Sequence, residues 1–394
     1  MKLYGKRLAA ALLAMTLAMS APALASTRAT VDKAPKQTSY ERERSAEEWA
    51  TLRDNVLTWD EIRDLVHEYN PTVSSVWIKY RNNNDTGTYD LDYDDVISNI
   101  ESTYDSALGV SDAGDASAEL SRMTALASVD TTIQNSDREV VTLGYEKTEV
   151  TTAEAIKQKI ISIYTSELDT KVAELALAND QSLLEQARRK QQVGSGTELD
   201  VLTAEKTVKD DEAALKAAQA AQVKAKQTVL VNLGWTYDAQ PIICQVPEVT
   251  DDMINAINLE EDIPKAISNS YTLKIDERKL ALAESESTAS NATITLSTDK
   301  NQANSDMTSK YNALITAQND LVKQQLQEAN MLETLDKVTR GYATGANSQR
   351  ELESAQFNYD TAKLNTRLKQ YALQAAYFTY ISYRDGLAGS SSST

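Results

Sequence analysis

The windows that lack both glycine and proline constrain this chain most. Neither residue occurs in Tyr145–Val193, Thr197–Leu233, Lys265–Arg340 or Ala346–Asp385, which run for 49, 37, 76 and 40 residues. At 1.5 Å per residue a 40-residue helix is about 60 Å long, roughly twice the width of a small domain. With 12 Gly and 6 Pro in 394 residues, the chain cannot supply the turns of a fold built from many short strands. With 6% aromatics, only 2 of them Phe, it lacks the bulky stock for one large core. Long helices packed side by side are what remains.

Apolar spacing agrees. Ile156, Ile160, Ile163 and Tyr164 share one helical stripe. Val201, Val208 and Leu215 recur every seventh residue with Ala204, Ala218 and Ala225 between them, and Asp211 interrupts the row. Gly194-Ser195-Gly196 separates two of the windows and Gly345 the other two, so each pair reads as a helical hairpin closed by a left-handed glycine.

The chain also repeats itself. Arg189, Gly194 and Ala204 recur at an offset of 151 as Arg340, Gly345 and Ala355, with an acid six residues after each glycine, Asp200 and Glu351. Thr58-Trp59-Asp60-Glu61 and Asn258-Leu259-Glu260-Glu261, 200 residues apart, both read as helix starts. The chain divides into a first repeat over 57–256, with an insertion near 71–145, and a second over 257–386. A Ser-rich tail over 387–394 follows, expected to be disordered.

At the N-terminus Lys2, Lys6 and Arg7, the apolar run Leu8–Met19 and Ala23-Leu24-Ala25 form an export signal over 1–25 with cleavage before Ser26. A polar linker or helix over 26–56 comes next. Without the signal the chain holds 37 basic against 58 acidic groups. That balance repels nucleic acid and anionic head groups, so no nucleic-acid partner is expected. No later stretch reaches the ~18 apolar residues of a membrane-spanning helix.

Enzymatic chemistry finds no foothold. One His and one Cys exclude a Cys/His zinc site and an intrachain disulfide. There is no Ser/His/Asp set and no phosphate-binding glycine loop, and no cofactor is expected. Around Gly87 the positions of a calcium loop hold Asn82, Asn84, Thr86 and Tyr93, which lack the required Asp ligands and closing Glu. His67 reads as an exposed side chain and Cys244, between Pro241 and Pro247, as a buried small hydrophobe.

Leu57–Ile62 through Tyr69-Asn70-Pro71, the first tip from Val193-Gly194 to Ala204, Val231–Gly234, and the second tip from Tyr342 onward together resemble the TolC family of outer-membrane efflux proteins. The resemblance covers about 57–386. It implies an all-α body of long antiparallel hairpins in two repeats, closed as a homotrimeric helical barrel. It also implies a duct function, an adaptor protein at the hairpin tips and an inner-membrane pump. The place of action would be the cell envelope, at an outer membrane where the organism has one.

The sequence departs from the family where membrane strands should stand. Each membrane hairpin needs two alternating runs of about 9–11 residues. Ser75–Tyr80 and Glu139–Tyr145 are candidate strands, Arg81–Asp95 is too acidic to face lipid, and Thr293–Leu296 is too short to span it. A helical or soluble cap at the far end is the expectation instead.

By the same resemblance Asp200 and Glu351, with Glu353, become rings of charge at the aperture, and Tyr342 opposite Asp200 becomes a closing link. The acid expected three residues after Glu351 is Ser354, and the expected Arg is Asn347. Gly194, Ser195 and Gly345 form the turns. Leu199, Val201, Leu202 and Leu352 are candidates for adaptor contact or for the helix seam. The competing function is a secreted coiled-coil structural or adhesive protein of the envelope.

Overall fold

The computed structural model describes residues 43–85, 89, 91–108 and 115–389. The export signal and the end of the Ser-rich tail lie outside them. Helix α1 (Ala46–Leu52) and strand β1 (Val56–Leu57) lead into α2 (Ile62–Tyr69) and α3 (Pro71–Asp85). Three helices follow, α4 (Tyr93–Leu108), α5 (Asp115–Ala127) and α6 (Val129–Ser136). The first hairpin is α7 (Arg138–Gln192) with α8 (Glu198–Asn232). After strand β2 (Ile242–Ile243) come α9 (Asp251–Asn255), α10 (Leu259–Asn269) and α11 (Tyr271–Ala281). The second hairpin is α12 (Glu286–Ala343) with α13 (Gln349–Ser382), and a wide turn over Tyr383–Leu387 ends the body.

The four long helices form an arc in the order α8–α7–α13–α12. Helices α7 and α13 run antiparallel in one register. Ser382 Oγ donates to Glu154 (2.6 Å), Gln158 to Thr379 Oγ1 (3.1 Å), and Tyr164 stacks on Tyr371 with centroids 5.7 Å apart. Ile156, Ile160 and Ile163 are buried in the first core with Leu57, Ile62 and Leu65, as their shared stripe requires. A second core gathers Leu273, Met307, Leu314 and Tyr380.

The 200-residue offset extends beyond the helix starts. Asn70 and Ser270 each end one helix and cap the next: Asn70 Oδ1 accepts from the Thr72 and Val73 amides, and Ser270 Oγ from the Leu273 amide. Their own amides close on Val66 O and Ala266 O.

Three sequence readings need correction. The 76-residue window is not one helix; it breaks at Ser270 and over Leu282–Ser285. Serine makes both breaks by offering its hydroxyl to the next helix's amides, which a search for Gly and Pro misses. Ser75–Tyr80, Glu139–Tyr145 and Thr293–Leu296 are helical, not strands. Among the described residues the only sheet is the parallel pair β1–β2, matching Val56 with Ile242. No described helix is long and apolar enough to cross a membrane.

His67 is the third correction. It is 2% exposed, with Nδ1 2.7 Å from Glu149 Oε2, while Arg63 Nε donates to Oε1 of the same carboxylate (2.8 Å). Glu149 is fully buried, so the charge on α7 fastens α2 to it. Cys244 is half-buried, its thiol pushed up to about 11 by burial, and its amide donates to Leu57 O.

The insertion resolves into α4–α6. In the first repeat they stand between α3 and α7, where the second repeat passes from α11 to α12 in four residues, Leu282–Ser285. Helix α6 docks on that second-repeat joint: Asp130 accepts from Ser285 N (3.0 Å) and Oγ (2.6 Å), and Gln134 donates to Lys279 O (2.8 Å). Asp137, the N-cap of α7, pairs with Arg278.

Candidate functional site: the hairpin tips

Each tip turns through one glycine with a left-handed backbone, Gly194 at φ 76° and Gly345 at φ 78°. In the first, the amides of Ser195 and Gly196 both donate to Lys190 O (2.9 and 3.0 Å). In the second, those of Ala346 and Asn347 both donate to Gly341 O (2.8 and 3.1 Å). Every one of these positions keeps the 151-residue offset.

One detail is exchanged between the tips. A Cβ on Gly196 would stand 3.0 Å from the Lys190 Cβ, and one on Gly341 would stand 1.7 Å from Asn347 Oδ1. The chain passes equally close in both turns, and only one of the two facing positions carries a side chain. It is Lys190 in the first tip and Asn347 in the second.

Asp200 and Glu351 complete capping boxes. Thr197 N and Oγ1 donate to Asp200 Oδ2 (2.8 and 2.7 Å), and the Asp200 amide donates back to Thr197 Oγ1. Ser348 N and Oγ do the same for Glu351 Oε2 (2.6 and 2.8 Å). The backbone amide bond, then the hydroxyl bond, hold both carboxyls below the usual range, so both are anionic at neutral pH. Each keeps its second oxygen outside the box.

The two acids do not share a level. The α7–α13 register, continued by Ser182 Oγ on Glu353 (3.2 Å), brings Gly345 opposite the neighbourhood of Lys190. At 1.5 Å per residue the second tip ends about 6 Å short of the first. The α7–α8 pairing through Arg188–Glu205 then separates Asp200 from Glu351 by roughly 12 Å along the hairpins.

Glu353 is committed within the chain. It accepts from Ser182 and from Gln349 Nε2 (2.9 Å), and Arg350, 3.8 Å away, reaches on to Asn179 Oδ1 (3.2 Å). Sequence reasoning missed Asn179, Ser182 and Arg350, because no local pattern reports contacts between residues 171 apart. Tyr342 is 44% exposed, on α12 at one edge of the arc, while Asp200 is on α8 at the other. Within one chain α7 and α13 stand between them.

Leu199 (71% exposed) and Leu202 (54%) face outward beside Val193. Val201 turns into the seam against Leu184 and Val208, and Leu352 is half-buried. Ser195 lies exposed, its hydroxyl donating to Lys190 O. Among the described residues no His, Cys, Asp and Glu group forms a metal-binding cluster.

No family model and no curated protein matches the sequence. Solved structures do match the fold. A membrane protein from Pseudomonas aeruginosa superposes with a TM-score of 0.56 at 10% identity, covering 86% of this chain and 93% of that one. The Campylobacter jejuni CmeC outer membrane channel gives 0.56 at 9% identity over 93% of each chain. The outer-membrane channel OprN gives 0.53 at 13% identity over 93% and 97%. The fold is TolC-like. A TolC-like body in which two-residue strands are the only ones among the described residues has its far end built from α3–α6 and α10–α11.

Proposed function

We infer that this chain is one staff of a hollow duct, three copies closing the wall, and that it conducts small molecules or proteins passively through the cell envelope after export. An adaptor seated on the tips and an energised inner-membrane pump would complete the system. The open arc supports this reading. Helices α7 and α13 are covered on both sides, whereas α8 and α12 each have a long partner on one side only. Their uncovered edges carry exposed Val223 and Val231 on α8, and Val322 and Leu326 on α12. An unpaired apolar edge on a helix is satisfied by the complementary edge of the next copy, and such heterologous contacts close into a ring.

In that ring the Tyr342–Asp200 link belongs to the junction between copies, where α12 of one meets α8 of the next. Asp200 and Glu351 supply two levels of negative charge, a passage favouring cations. Exposed Leu199 and Leu202 offer the adaptor contact. The paired hairpins favour a duct over an adhesive rod, which would need one unbroken seam.

Light scattering on the purified protein with negative-stain imaging tests the reading. A mass three times that of the chain and a visible lumen are expected. A stable monomer, or a solid rod, would sink it.

A further inference from the structure

One junction holds a group that neither the fold nor the duct reading uses. Asp276 on α11 faces Asp299 on α12, and no donor from the described residues reaches its buried Oδ2. Beside it opens a cleft of about 320 Å³ lined by Asp276, Lys279, Gln134, Thr288 and Asn291. The pair sits where the second repeat bends, next to the break over Leu282–Ser285.

We propose that Asp276 and Asp299 form a proton-operated clamp: one proton held between the two carboxylates fastens α12 to α11, and its loss loosens the far end of α12. With the proton in place, one oxygen donates and the other carboxylate accepts. Without it, two like charges face each other in a partly dry seam.

Two lysines offset part of that repulsion, but burial and the facing carboxylate outweigh them. Lys147 reaches it from α7, itself pulled down by burial, and Lys279 from α11. Helix α6 presents neutral Gln134 and Asp130, the latter held by Ser285. The other charges at the junction are engaged elsewhere: Glu277 with Lys300, Arg278 with Asp137, Asp262 with Lys265, and Arg384 with Asp385.

Burial, then the bond to Asp299, pushes the Asp276 carboxyl from 3.8 up to about 6. A folded value above the unfolded one means stability that is complete below 3.8 and gone once pH has risen through about 6. A second pair has the same build across the first hairpin. Asp211 faces Asp180, keeps a buried oxygen without a partner, and is raised by burial and by that neighbour. This is the acid that breaks the Val201–Leu215 row.

Hydrogen exchange of the full chain at about pH 5 and about pH 8, corrected for intrinsic rates, tests the clamp. Amides over 282–295 should exchange several-fold faster at the higher pH in the wild type. Asp276→Asn should remove that difference, Asp299→Asn should do likewise, and the exposed control Asp169→Asn should keep it. A wild type whose corrected exchange ignores pH, or an Asn variant that tracks the wild type, overturns the proposal. Should Asp276→Asn fail to fold, Asp299→Asn decides alone. None of this depends on transport.

Discussion

Helices α2 and α10, 200 residues apart, do the same job by different chemistry. Arg63 and His67 on α2 correspond to Ile263 and Ile267 on α10, and Ile62 corresponds to Asp262. The first repeat docks its short helix by burying Ile62, Leu65 and Val66 and adds a buried carboxylate, Glu149, shared by Arg63 and His67. The second docks through an apolar face and neutral donors, among them Tyr380 Oη donating to Asp262 Oδ2 (2.9 Å) and Asn269 Nδ2 to Arg384 O (3.3 Å). The backbone solution is common to both, with Asn70 and Ser270 at equivalent corners. The difference shows that a duplicated frame can keep an apolar joint in both copies and add a buried ionic contact in only one.

The two joints should fail differently. Glu149→Ala removes the acceptor shared by half-exposed Arg63 and buried His67, so a loss of about 3 kcal/mol is expected in denaturant titration. A loss below about 1 kcal/mol would show that the ionic joint is not what holds α2. Tyr380→Phe keeps the ring in the second core and deletes one bond, with a loss of about 1–3 kcal/mol. Ser285→Ala, which removes the cap of α12 and one donor to Asp130, should cost about 1 kcal/mol, read as a lower melting temperature. Smallest in stability is Tyr342→Phe, expected to leave melting unchanged. In the proposed duct it should raise conductance, and an unchanged conductance would show that Tyr342 does not gate.

Acid should also separate two contacts at the far end. Asp130 and Asp137 are lowered, because the bonds from Ser285 and Arg278 outweigh the burial that would raise them. Their contribution is present above 3.8 and lost as pH falls below it. Asp276 behaves oppositely. Stability measured against pH should therefore fall on both sides of an optimum, and replacing Asp137 with Asn should blunt only the acid side.

The tips were legible in the sequence because their physics is local. A left-handed turn demands Gly194 and Gly345, and a helix start demands Thr197 with Asp200 and Ser348 with Glu351. Such needs leave a residue at a set spacing. The far end was less legible. Serine corners look like ordinary helix residues until the next helix changes direction, so Ser270 and Ser285 escaped notice. His67 looked solvated because its partner is 82 residues away. The contact of Ser182 with Glu353 also escaped notice, since it is set by the packing of two hairpins rather than by either one.

The traded glycine has a consequence for how the two turns can change. Asparagine at Gly196 alone would collide with Lys190, and restoring lysine at Gly341 alone would collide with Asn347. Changed together, Lys190→Gly with Gly196→Asn, the first crossing takes the residues of the second. The order of change therefore matters at that crossing: removing Lys190 first passes through an open pair of glycines, whereas adding a side chain at position 196 first crowds Lys190.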